Sequence, residues 1–204
     1  VHGEEGMVLH RPLPSQGSFV TRSRIDEIID KGEGRGALIY MTREVFDATT
    51  DEPVATITRT TFARGDGGFG GPSGPVRSVH KLPDRAPDHV CDLPTLPQQA
   101  LIYRLNGDGN PLHADPDVAR EAGFERPILH GLCTFGVAGH AVLKTLCGYE
   151  PAGLKRFDVR FSAPVFPGET IRTEMWVDGT EVSFRARVVE RDAVVLNNGL
   201  AEIA

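Results

Sequence analysis

Two stretches of the chain set out the same sequence of events. Pro-x-Pro opens "RPLPSQGSFVTRSRI", Arg11 to Ile25, and Pro-x-x-Pro opens "APVFPGETIRTEMWV", Ala163 to Val177, and each then runs into alternating polar and apolar positions. That pattern predicts a turn feeding a strand. A second alternating run follows in each case, "GALIYMTREVFDA" and "TEVSFRARVVERDA", and then a third, "PVATITRTTFAR" and "VVLNNGLAEIA". Each trio reads as an antiparallel meander of long strands rich in Val, Ile, Thr and Phe with one buried face, so the chain looks like a duplicated unit.

Between the copies, Arg64 to Asp88 is dense in Gly and Pro and has no periodicity, as a linker crossing from one half to the other would be. Phe69 amid the glycines suggests that its middle is packed. The pattern divides the chain into residues 1–64, a linker at 65–88 and a second unit at 89–204.

Ahead of the second meander the period changes. In "HGLCTFGVAGHAVLKTLCG", His130 to Gly148, apolar residues are spread around a cylinder and Gly148 is placed to end it. A helix apolar nearly all round should be buried. A long antiparallel sheet wrapped on one buried helix is the hot-dog arrangement, of α+β class. The first half has only about ten residues ahead of its meander, too few for an equivalent helix, so the expectation is a first unit that is incomplete here and continues upstream of Val1.

Composition narrows the chemistry. The 204 residues are 40% apolar and 25% charged with a formal net charge of -6, as in an ordinary globular protein. Acids and bases are interspersed, without the basic stripe of a nucleic-acid surface. Cys91, Cys133 and Cys147 have neither disulfide parity nor a metal-ligand spacing and read as reduced, buried thiols. No apolar run is long enough to cross a bilayer and no signal peptide is visible. There is no Gly-x-Ser-x-Gly elbow, Ser73, Ser78 and Ser162 lie in plain turn or strand contexts, and "GDGGFGG" is no dinucleotide fingerprint.

One loop resists a purely structural account. "PQQALIYRL" can form a short helix that Asn106-Gly107-Asp108-Gly109 ends, and Asp115 can cap another helix beginning at Pro116. Between them lie Asp108, Asn110 and His113. Turn chemistry explains Asp108 between glycines and Asn110 before Pro111, but not His113. A carboxylate and an imidazole five residues apart on such a loop can converge on one water. Asp108, His113 and the distant His130 have no recognised zinc spacing, so no metal is expected.

Gly107-Asp108-Gly109-Asn110-Pro111-Leu112-His113 resembles the hydratase 2 motif of the MaoC-like dehydratases, with the aromatic Tyr103 also in place. "PILHGLCTFG" resembles the family's second hallmark at the start of the hot-dog helix. "HRPLP", "KGEGRGA" and "RGDGGFGG" resemble the non-catalytic half of the two-domain hydratases of bacteria and of peroxisomal multifunctional enzymes. Asn106 departs from the pattern, which favours a small residue there. The resemblance implies a double hot dog that reversibly hydrates a trans-2-enoyl-CoA to an (R)-3-hydroxyacyl-CoA, with no cofactor beyond the coenzyme A thioester substrate. It implies Asp108 and His113 as the water-activating pair, Asn110 as their orienting amide and the Gly131 N–H as donor to the thioester oxygen. Tyr103, His2 and Leu132 are expected to border the substrate. A homodimer follows from the same likeness, cytoplasmic in a bacterium and peroxisomal in a eukaryote. A hot-dog acyl-CoA thioesterase and a non-catalytic acyl-binding scaffold are the alternatives.

Overall fold

The computed structural model describes all 204 residues. Nine strands form one antiparallel sheet: β1 His2–Leu9, β2 Phe19–Asp30, β3 Ala37–Asp47, β4 Pro53–Ala63, β5 His89–Pro94, β6 Leu154–Phe161, β7 Thr170–Asp178, β8 Glu181–Val188 and β9 Ala193–Ile203. Their spatial order is β2-β3-β4-β1-β6-β9-β8-β7-β5. The two meanders read from sequence are β2-β3-β4 and β7-β8-β9. They meet through β1 and β6, where Met7 faces Phe157 and Glu5 faces Val159. Gly6 permits that junction: a Cβ there would lie 2.5 Å from the Thr58 hydroxyl and 2.7 Å from the Asp158 carboxylate.

Helix α3, Gly131–Leu146, packs against strands of the second half. Cys133, Ala138, Ala141 and Val142 of the helix share one core with Phe157, Met175, Val182 and Phe184 of the sheet. The Phe157 and Phe184 rings stack with centroids 4.5 Å apart, and each fully buried phenyl contributes about 1.5–3 kcal/mol of burial. The helix is not buried all round, as its composition suggested. Gly136, His140 and Lys144, four residues apart, form an exposed stripe, because a helix lying on one sheet needs covering on only one side.

The segment from Arg64 to Asp88 crosses the opposite face of the sheet. Strand alternation shows this: Met175 and Phe184 point to α3, while their neighbours Trp176 and Ser183 meet the segment. The Trp176 indole N–H donates to the Arg85 carbonyl at 2.8 Å, and Ser183 Oγ lies 2.8 Å from His80 Nε2. Its start is clasped by Asp30, whose carboxylate accepts from the N–H groups of Gly32, Gly68 and Gly70 at 2.7–2.8 Å. Phe69 is not packed; it is 56% exposed, since the clasp around it is made by backbone N–H groups and leaves its side chain outside.

Candidate active site

The loop singled out in the sequence connects two short helices, α1 Gln99–Tyr103 and α2 Pro116–Glu121. A 3-10 turn at Arg104–Asn106 follows α1 and ends at Gly107, whose φ of 100° lies in the left-handed region that glycine tolerates. Asn106 is exposed beside it. The Asp108 carboxylate accepts from the Asn110 N–H at 3.3 Å, and the Asn110 side-chain oxygen accepts from the Leu112 N–H at 3.1 Å. Both are therefore turn-forming residues as well. With its oxygen engaged, Asn110 keeps its amide NH₂ as the group able to donate. Asp115 caps α2 by accepting from Asp117 and Val118 N–H.

His113 closes the loop, half-buried, with its Nδ1 2.8 Å from the Ile128 carbonyl oxygen. A carbonyl only accepts, so Nδ1 carries a proton, which leaves Nε2 as the nitrogen that presents a lone pair in the neutral ring. Its ring stacks on that of His130, with centroids 3.7 Å apart and planes inclined by 29°. His130 is 1% exposed. Its Nε2 donates to the Asp108 carbonyl at 3.2 Å, and its Nδ1 has no partner. Burial, and then the neighbouring His113, holds the His130 imidazole below the ordinary histidine range, which keeps it neutral near pH 7. The Tyr103 ring lies 4.7 Å from the same imidazole, and burial, assisted by Cys133 and Asp108, pushes its phenol up, so it stays protonated.

Gly131 is the first residue of α3, with His130 as its N-cap. Its N–H finds no acceptor within the chain and sits at the positive end of a 16-residue helix. A Cβ at Gly131 would lie 3.2 Å from the Phe161 ring. His2 packs on the other residue of that contact, its ring 4.5 Å from Phe161, and reaches Glu5 at 2.7 Å. It joins the site's wall through Phe161 rather than touching the acid–base pair directly. Leu132 follows Gly131 on α3, half-buried.

The fold thus brings Asp108, His113 and the helix start together from segments seventeen or more residues apart. It adds one group that spacing gave no reason to include: donor atoms of Asp108, His113 and His130 all lie within 4.8 Å of one another. Two imidazole nitrogens and a carboxylate are chemically able to meet a divalent cation. The same three groups equally suit one water held between an acid and a base.

Comparison with known proteins identifies the family. The family described as MaoC like domain matches residues 78–198, and the MFE-2 hydratase 2 N-terminal domain matches residues 1–65. The chain is 44% identical to 3-hydroxyacyl-thioester dehydratase Y of Mycobacterium tuberculosis, over 99% of this chain and 72% of that protein. It is 40% identical to the peroxisomal enoyl-CoA hydratase 2 of Arabidopsis thaliana, over 96% of this chain and 66% of the relative. A MaoC-like dehydratase from Phytophthora capsici superposes with a TM-score of 0.92 at 40% identity, covering 100% of this chain and 71% of the other. The relatives are thus longer than the chain by roughly a third to a half of its own length. With the loop motif, the helix start and the paired sheets all matched along its length, the chain belongs to the MaoC-like dehydratase family, in its two-unit hydratase 2 form.

Proposed function

We propose that this chain hydrates a trans-2-enoyl-CoA to an (R)-3-hydroxyacyl-CoA, and that Asp108, His113, Asn110 and Gly131 do so without a metal or redox cofactor. The observation that carries the reading is the convergence of the Asp108 carboxylate and the His113 imidazole within 4.8 Å of His130, the residue that directly precedes the unused helix N-terminal N–H of Gly131. Adding water to an enoyl thioester asks for those three groups. Water sits between Asp108 and His113 Nε2 and gives up one proton to the pair as its oxygen bonds to C3. The C2–C3 π electrons move toward the thioester oxygen, where the Gly131 N–H stabilises the enolate. The pair then returns a proton to C2, so one water has been added and no electrons have been lost. The Asn110 amide orients the water.

Coenzyme A as the carrier has separate support. His2 and Phe161 also line a cavity of about 350 Å³ together with Lys31, Arg64, Arg77 and Arg160 and one acid, Glu4. Of the cations only Arg77 is ion-paired, with Asp26 at 3.8 Å. Unpaired cations in a chain of net charge -6 suit a phosphate-bearing ligand. A homodimer belongs to the same proposal and is tested by sedimentation.

The product tests the chemistry. Addition by groups on one side of the enoyl plane is syn, and the face of C3 that they meet sets the configuration, which the hydratase 2 likeness assigns as (R). Hydration of crotonyl-CoA coupled to an (R)-specific 3-hydroxyacyl-CoA dehydrogenase should give signal, and an (S)-specific one none. Turnover by the (S)-specific partner would overturn the assignment, and release of free coenzyme A in place of hydration would make the chain a thioesterase.

A further inference from the structure

We infer that His130 is a positioning residue, which docks the Asp108 loop onto the start of α3 and so sets the acid–base pair against the Gly131 donor; this rests on the hydration chemistry proposed above. The loop has little else to hold it. From Leu105, 83% exposed, through Pro111 every residue is exposed. Its hydrogen bonds are local: Gly107 N–H to the Arg104 carbonyl, Asn110 N–H to Asp108, Leu112 N–H to Asn110. Two bonds tie it to the segment leading into α3, and both come from imidazoles. His113 donates outward from the loop to the Ile128 carbonyl, and His130 donates inward to the Asp108 carbonyl. The two rings stack between these bonds.

The reciprocity fixes opposite tautomers. His113 must carry its proton on Nδ1 and His130 on Nε2, because each faces a carbonyl that can only accept. A neutral His130 therefore does three things at once. It holds the Asp108 peptide, supports the face of His113, and, being the residue before Gly131, anchors both to the oxyanion donor through a single peptide link. Neither ring can be displaced without moving the other. A misplacement of about 1 Å between reacting groups can cost about a hundredfold in rate. The coenzyme is held elsewhere in the proposed reading, so the cost should fall on kcat.

The test uses two substitutions that divide the roles. His130→Phe keeps a ring to stack but removes the donor. His130→Gln removes the ring but can place its amide nitrogen near the position of Nε2. On crotonyl-CoA, His130→Phe should lower kcat by about ten- to a hundredfold with KM changed less than about threefold, and His130→Gln should recover most of the loss. Thermal unfolding of both variants separates positioning from stability. Wild-type kcat in His130→Phe overturns the inference, as does a loss in His130→Gln equal to that in His130→Phe. Long-range proton–nitrogen correlation spectra of the histidine rings give a readout independent of turnover. They should show one Nε2–H tautomer that vanishes in both variants and one Nδ1–H tautomer assigned to His113. A His130 signal of Nδ1–H form would end the proposal even in an active enzyme. A wild type that hydrates nothing would refute the reaction while these spectra still decide the dock.

Discussion

Replacing Gly131 by proline should remove the proposed oxyanion donor with little harm to the fold. Proline is favoured at the first position of a helix, where its missing N–H has no intrahelical partner to lose, and Gly131 holds that position in α3. The residue before a proline is pushed to extended backbone, and His130 is already there, with φ -57° and ψ 135°. The remaining obstacle is the Cβ, which would approach the Phe161 ring to 3.2 Å and require a shift of a few tenths of an ångström. Gly131→Ala carries the same Cβ and keeps the N–H, so it measures that obstacle alone. Removal of one oxyanion donor costs about a hundred- to a thousandfold in kcat, or about 2.7–4 kcal/mol of transition-state stabilisation. Initial rates on crotonyl-CoA, followed by loss of enoyl absorbance, should show Gly131→Pro below Gly131→Ala by that factor, with circular dichroism and unfolding temperatures similar for the two. Equal activity in the two variants would mean that steric contact with Phe161, not hydrogen bonding, accounts for the glycine, and the donor role would have to be given up.

Asp108→Ala and His113→Ala should each reduce hydration by at least about a hundredfold; Asp108→Ala should leave the unfolding temperature nearly unchanged because its side chain is exposed, and full activity in either variant removes that residue from the mechanism. Burial pushes the Glu5 carboxyl up, but hydrogen bonds from His2 and Arg59 outweigh it and hold the group below the ordinary glutamate range. A folded-state pKa below the unfolded one means stability that is present above the unfolded value and lost as pH falls through the folded one. Unfolding temperature should therefore fall with acid less steeply in Glu5→Gln than in wild type, and parallel acid limbs would contradict this. Phe157→Ala, which empties the centre of the core between Phe135 and Phe184, should cost about 3–5 kcal/mol by denaturant unfolding, and a loss below 1 kcal/mol would place the core elsewhere.

What could be read from the sequence follows from the range of the forces involved. The β2-β3-β4 and β7-β8-β9 meanders and the α3 helix carry their periods in contiguous residues, and turn residues mark their ends. β1 and β6 were not read as strands. In β6 the register shift between Leu154 and Arg156 breaks the alternation, and β1 has glycines at positions 3 and 6, tightly approached at the first and too closely for a side chain at the second. The acid–base loop was legible through its motif, since Asp108, Asn110 and His113 are close in sequence. The part played by His130 was not, because a stacking contact between residues 113 and 130 exists only once the loop folds back on the helix start. The uncovered stripe on α3 was hidden for a related reason: small apolar residues do not reveal which side a sheet will take.

The place of β1 in the middle of the sheet has a consequence for how the chain is made. The strand nearest the start of the sequence pairs with β4 on one side and β6 on the other, and Met7 meets Phe157 after 150 intervening steps along the backbone. At roughly 5–20 residues per second of synthesis, one edge of β1 waits about eight to thirty seconds for its partner. During that interval the β2-β3-β4-β1 ribbon ends in a row of unpaired peptide groups, open to any other strand that passes. Gly6, which the finished junction needs because no side chain fits between Thr58 and Asp158, leaves that waiting edge without a side chain to shield it. The seam between the two units is thus the pairing with the longest wait in a growing chain and the point at which a ribosome-bound intermediate is most exposed to pairing with a neighbour.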